Sequence, residues 1–172
     1  MTERVRRAAV SYVEREDGRI LCVWNKRYEG WSMPGGMVEP TDASIEAAQE
    51  RELREETGLG TVTRELMFEG VHGIQAVEGR GRDRASYVHV FRVTTRGEPR
   101  KMEAGCPVTW LTRAEFLERS PFAPLYATVF AQCAPAVALA RKAYVTPVVK
   151  PLSREKGDAL FERAAREEQN EG

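Results

Sequence analysis

Apolar positions come in short runs separated by turn-forming residues, and the run lengths predict a mixture of strands and helices. Arg7 to Val13 and Arg19 to Trp24 are rich in β-formers and flank Glu16-Asp17-Gly18, which predicts a β-hairpin. The stretch KRYEGWSMPGGMVEPTDAS follows as a loop dense in Gly and Pro. A helical run extends from about Ala43 to Thr57, with Asp42 behind Pro40 as the expected N-cap and Gly58 as the stop. Val62 to His72 and Ser86 to Val93 read as strands on either side of the polar loop Val77 to Arg84. Val108 to Leu111 is a short further run, and Thr112 is placed to cap a helix beginning near Arg113.

The end of the chain has a different pattern. Ala136 to Tyr144 is alanine-rich and helical, TPVVKP breaks it, and Asp158 to Glu168 forms a second amphipathic helix. On that last helix Leu160, Phe161, Ala164 and Ala165 share one side, a face suited to docking on its own domain or to a dimer contact. The expected division is therefore a main domain over residues 1–135 and a helical extension over 136–172.

Composition narrows the class. With 172 residues the chain is long enough for one domain with a substantial core. Twenty-six Lys and Arg balance 26 Asp and Glu, so no global field draws the chain to nucleic acid or an anionic membrane. Whatever electrostatics matter must be local. Cys22, Cys106 and Cys133 are widely spaced and odd in number, which shows neither a disulfide framework nor a zinc pattern and fits a reducing compartment. The N-terminus has no apolar core of signal-peptide length and no segment approaches a membrane span, so a cytoplasmic protein is expected.

The local electrostatics lie in RELREETGL, Arg51 to Leu59. Each helical residue advances by about 100°, so Glu52, Glu55 and Glu56 share one face although like charges at such spacings repel. With Ile45 at zero angle, Ala48, Glu52 and Glu56 fall in one arc, and the carboxylates continue the apolar stripe toward the protein body. Taken alone, such a cluster reads as solvated surface laced with salt bridges. Its context differs: MPGGMVEP precedes the helix, and adjacent glycines allow close backbone approach to an ion or phosphate. Oxygen ligands from several carboxylates suit a hard divalent ion, Mg²⁺ or Mn²⁺.

The segment resembles the box of the Nudix hydrolases: a glycine, five residues, an acid, seven residues, then Arg-Glu-aliphatic-x-Glu-Glu-x-Gly-aliphatic. Gly36 opens it, Asp42 stands at the acid, and Arg51, Glu52, Leu53, Glu55, Glu56, Gly58 and Leu59 fill the remainder. Two departures are present: Asp42 replaces glutamate, and eight residues rather than seven separate it from Arg51. A similar lengthened box with Asp occurs among coenzyme A diphosphatases of the family, but the extended motif those enzymes carry before the box is missing. The extra residue also puts Gln49 and Glu50 where such boxes commonly carry apolar residues.

The resemblance implies an α/β/α sandwich around a mixed sheet and hydrolysis of a nucleoside diphosphate linked to another group. It implies Glu55 and Glu56 as principal metal ligands, Glu52 as a ligand or the base, Arg51 as a residue orienting a carboxylate, and a backbone oxygen from the Gly36 region. GEPRKMEAGCPVTWL resembles the segment of mutator-type members in which an acid precedes a tryptophan-bearing strand, so Glu103 is a further candidate ligand and Glu78 a lesser one. A nucleoside triphosphate leads as substrate; ADP-ribose, dinucleoside polyphosphates and coenzyme A stay open, as does a module that senses a nucleotide without cleaving it. The expected partner is a small nucleotide, with the protein a monomer or homodimer.

At the substrate's other end, Gly35 and Gly36 offer backbone to the phosphates. Trp31 is open to two readings, stacking on a base or anchoring the loop in the core. Arg80, Arg82 and Arg84 could hold phosphate bidentately or belong to a solvated loop, with Arg82 the chosen candidate. Trp24, Trp110, His72 and His89 occupy strand-like runs and read as structural.

Overall fold

A computed structural model describes residues 5–74 and 84–133. Seven strands and three helices occur among them, in the order β1 (Val5–Tyr12), β2 (Ile20–Asn25), β3 (Gly30–Ser32), β4 (Gly35–Met37), α1 (Ile45–Thr57), β5 (Thr61–Ile74), β6 (Arg84–Thr95), β7 (Val108–Leu111), α2 (Arg113–Arg119) and α3 (Ala123–Cys133). A mixed sheet has the order β4-β1-β6-β5, with β1 parallel to β6 and the other neighbours antiparallel. A second, antiparallel sheet has the order β3-β2-β7.

Strand alternation explains the layers. Side chains on a strand point alternately to opposite faces. Ala8, Val10 and Tyr12 of β1 join Val88 and Val90 of β6 in a core closed by Phe116 of α2 and by Leu125, Tyr126, Val129 and Phe130 of α3. Ala9 of β1 and Phe91 and Val93 of β6 turn the other way and meet Ala48 and Leu53 of α1. The mixed sheet thus has helices on both faces, the α/β/α sandwich expected. Both faces of its central strands are buried, which is why those strands are apolar at successive positions.

The predicted hairpin is corrected. The turn is present, closed by Gly18 N–H donating to Arg15 O at 2.9 Å, with Gly18 at φ 80°. The flanking strands, however, belong to different sheets and pair just beside the turn, at the Glu14–Ile20 bridge with the Arg15 N–H to Arg19 O and Leu21 N–H to Val13 O bonds. β1 is used on both edges by β4 and β6, so β2 must find β3 and β7 instead. The glycine loop holds two unpredicted strands, β3 and β4, which are three residues each and too short for periodicity to reveal. Helix α3 is also unpredicted, since Pro121 and Pro124 obscure its start; its apolar residues at 125, 126, 129 and 130 nevertheless follow helical spacing.

Strands β5, β6 and β7 cover the expected runs, and Thr112 caps α2 in a capping box with Glu115. The two C-terminal helices expected beyond residue 135, and with them the extension over 136–172, lie outside the described residues. No helix among the described residues is long and apolar enough to cross a membrane.

Candidate active site

The site is built where α1 crosses the ends of β1 and β4. Ser44 rather than Asp42 caps α1: its Oγ accepts the Ala47 N–H at 3.1 Å, and its backbone is extended. Asp42 is diverted because its carboxylate is engaged elsewhere. Oδ1 accepts from Arg51 Nε at 2.9 Å, Oδ2 accepts from Arg51 Nη2 at 3.0 Å, and Oδ2 also accepts the Glu39 N–H at 2.8 Å. At the other end Gly58 adopts φ 73°, and its N–H bonds Arg54 O as the Gly-type helix stop expected.

Arg51 ties the site together. Besides its bidentate pair with Asp42, it donates to Glu52 Oε1 at 2.9 Å, to Glu55 Oε2 at 3.1 Å and to the Met37 carbonyl of β4 at 3.1 Å. Five planar donors make such fan-out possible where a lysine would have one point charge. These carboxylates raise the guanidinium's proton affinity well above the ordinary arginine value, and Arg51 in turn holds the Asp42 carboxyl below its usual range.

The three box glutamates are not equivalent. Glu52 and Glu56 lie on the side of α1 that carries the buried Ala48 and Leu53, and are half-buried. Glu55, about 60° from Glu52 and about 100° from Glu56 around the helix on the solvent side, is 58% exposed and pairs with Arg51. The expectation that all three share one inward face therefore holds for two.

Glu56 Oε2 accepts the Gly35 N–H at 2.8 Å. Burial, opposed by that bond and reinforced by the charges of Glu52, Glu103 and Glu55, pushes the Glu56 pKa up to about 8. Glu52 is also raised, first by burial, with Arg51 opposing and Glu55 adding. The two glycines make this packing possible. A Cβ on Gly35 would lie 2.5 Å from Ala9 O, and one on Gly36 would lie 2.5 Å from Glu52 Oε1.

The donor chemistry suits a hard divalent cation, since every group is an oxygen and Glu56 is buried with a backbone N–H against it, while Glu52 already meets Arg51. Yet no three His, Cys, Asp or Glu side chains among the described residues stand together at metal-binding spacing. Glu55 is held outward by Arg51. Glu103 sits in the loop before β7, 65% exposed, with Lys26 Nζ 3.2 Å from its Oε1. Its charge reaches Glu56, whereas Lys26 was not singled out by sequence because a lone loop lysine carries no pattern.

Other expected residues separate from the site or from view. Trp31 packs edge-on against Trp24, ring centroids 5.4 Å apart, and lies against the α3-side core, which favours the anchoring role. His72 and His89 are buried in the sheet. Arg80, Arg82 and Glu78 lie outside the described residues, and of Arg84 only the backbone is described.

Comparison with known proteins agrees with this geometry. A MutT-like protein of Streptomyces ambofaciens is 34% identical over 108 residues, covering 62% of this chain and 64% of that relative, so the match spans less than two thirds of the relative's length. A solved mutator MutT protein from Bacillus halodurans is 27% identical at a TM-score of 0.53, covering 66% of this chain and 72% of that one. A MutT structure from work on Aliivibrio salmonicida and Vibrio cholerae shares the fold, with a TM-score of 0.55 at 21% identity, covering 74% of this chain and 99% of that one. The NUDIX domain model matches residues 4–133, which takes in the glycine loop, α1 and every residue gathered around Arg51. The chain therefore belongs to the NUDIX, or Nudix hydrolase, family.

Proposed function

We propose that the chain is a metal-dependent pyrophosphohydrolase cleaving a diphosphate linkage, with nucleoside triphosphates as the leading substrate class. The observation that carries this reading is the pair Glu52 and Glu56, two half-buried carboxylates on one helix face backed by glycines. A fold spends stability to bury such charges only where something compensates them in the working state. The MutT name of the relatives at 34% and 27% identity supports the substrate class.

Glu52 and Glu56 would hold Mg²⁺ or Mn²⁺, with Glu55 and Glu103 able to join from the exposed rim and the Gly36 region contributing backbone oxygen. When bound, the ion neutralises phosphate charge, orients the diphosphate and acidifies the attacking water. The Gly35 N–H fixes Oε2 of Glu56, and Oε1 would serve as the metal ligand. Arg51, itself pinned by Asp42, fixes Oε1 of Glu52. In the reaction one water is consumed: its oxygen joins phosphorus, the bridging P–O bond breaks, and a nucleoside monophosphate and pyrophosphate leave.

The test is product release from a panel of canonical and oxidised triphosphates, ADP-ribose, dinucleoside polyphosphates and coenzyme A, with Mg²⁺ or Mn²⁺. Turnover concentrated in the triphosphates and lost in Glu56→Gln is the expected result. Turnover of another class would replace the substrate assignment. Folded, metal-binding protein that binds nucleotides and cleaves none would replace the enzyme with a sensing module.

A further inference from the structure

Among the described residues three large apolar side chains stand about half in solvent: Met102 in the loop before β7, and Val62 and Leu66, at 49% and 48% exposure, both on β5. β5 ends the mixed sheet. Its two halves differ: Val62 to Leu66 are exposed throughout, whereas Phe68, Gly70, Val71 and His72 are buried. Leu66 pairs across the sheet with Phe91, which packs under α1, and so lies on the α1 face. Arg64, two residues before it on that face, reaches Glu46 O and Gln49 Oε1 of α1 at 2.8 and 2.9 Å, while Leu66 stays open. Apolar exposure on an end strand is a surface that folds ordinarily cover. The chain leaves the described fold at this strand: Cys133, the last residue of α3, donates its thiol to Met67 O at 3.3 Å, one residue from Leu66. Residues 134–172 follow, and they contain the run Asp158 to Glu168 with Leu160, Phe161, Ala164 and Ala165 on one side.

We propose that this run of the C-terminal extension docks as a helix on the exposed half of β5 of its own chain, with Leu160 and Phe161 against Leu66 and Val62. Docked there, it lies beside α1 and completes the helical layer over the end of the sheet. The 24 residues between Cys133 and Asp158, 134–157, span up to about 80 Å when extended, so the tether permits the return. The tether also favours this occupant over a second copy, because it supplies an effective concentration on the order of millimolar, far above that of other molecules in dilute solution. An isolated helix of 11 residues, 158–168, is marginal in water. The run needs an apolar surface to be helical, and the strand needs a cover.

The experiment is amide hydrogen exchange on the full chain, read by mass spectrometry, for wild type, Leu66→Asp and Phe161→Asp, at high and low protein concentration and with molar mass from light scattering. Expected is slow exchange over 158–168 in the wild type, accelerated about tenfold in both variants, with exchange over 88–93 of β6 unchanged and no dependence on concentration. An independent reading from the domain side keeps the strand close to its native character: the thiol introduced by Leu66→Cys should react about tenfold faster when Phe161→Asp is added. If Leu66→Asp also speeds exchange over 88–93, this labelling comparison decides. Fast exchange over 158–168 in the wild type, protection that survives Leu66→Asp, or a labelling rate indifferent to Phe161→Asp would overturn the proposal. Protection that fades on dilution together with a dimer mass would assign the strand to a second copy and overturn it as well.

Discussion

Gly36 and Glu52 are packed so closely that a methyl group on the glycine would stand 2.5 Å from Oε1 of the glutamate. The glycine is thus the wall of the carboxylate's pocket. Displacing a positioned group by about 1 Å can cost on the order of 100-fold in rate. Gly36→Ala is expected to lose about that much in kcat/KM while the far-ultraviolet circular dichroism stays that of the wild type. Wild-type turnover in that variant would mean that the placement of Glu52 is irrelevant to the chemistry.

Glu56 is a carboxyl buried against a single backbone donor, and burial pushes its pKa up to about 8. Glu56→Gln keeps an acceptor oxygen for the Gly35 N–H and removes the charge, so turnover should vanish while the metal-free protein becomes more stable at pH 7 by about 1–3 kcal/mol. Chemical denaturation without divalent ions measures the second effect. Thermal shift with added Mg²⁺ should raise the melting temperature of the wild type more than that of the variant. A variant destabilised relative to wild type would show that the carboxylate is already compensated.

Asp42 acts through Arg51. Asp42→Ala removes both acceptors from the guanidinium and frees it to swing toward Glu52 and Glu55, with an expected loss of about 10- to 100-fold in kcat/KM. Asp42→Asn retains one acceptor oxygen and should fall between. If Asp42→Ala and wild type have the same kinetics, the pair serves only to join the glycine loop to α1.

His72 sets an acid limit to stability. Burial lowers its pKa from 6.5 to about 4, so the unfolded chain takes up a proton between those values that the folded chain refuses. Unfolding free energy therefore falls as pH drops from 6.5 toward 4, by up to roughly 3 kcal/mol from this group, and the contribution is fully present above 6.5. In His72→Phe, which can pack against the neighbouring Phe122 ring, that loss should be absent. Denaturant midpoints of the two proteins at pH 7 and pH 4.5 decide it: parallel declines would assign the acid limit to other groups.

How much could be read in advance depended on whether a feature was local. The strands at 62–72, 86–93 and 108–111, the cap at Thr112 and the stop at Gly58 are short-range patterns, and the structure has them. Helix α1 was legible apart from its first turn, where Arg51 draws Asp42 away from the cap position and Ser44 takes it. Gln49, out of place by apolar patterning, is fully buried because Ser11, Thr61 and Arg64 supply its hydrogen bonds. Those partners come from β1 and β5, and no helix-period argument contains them.

The sequence by itself determined the family box and the existence of an acidic helix behind a glycine loop, since spacing along one helix is dictated by backbone geometry alone. Tertiary structure decided what each of those residues faces. It separated Glu52 and Glu56, turned inward over the sheet, from Glu55, turned to solvent and Arg51. It sent β1 and β2 to different sheets and brought Lys26 to Glu103 across 77 residues. Burial and long-range pairing are properties of the packed chain, and a local pattern specifies neither.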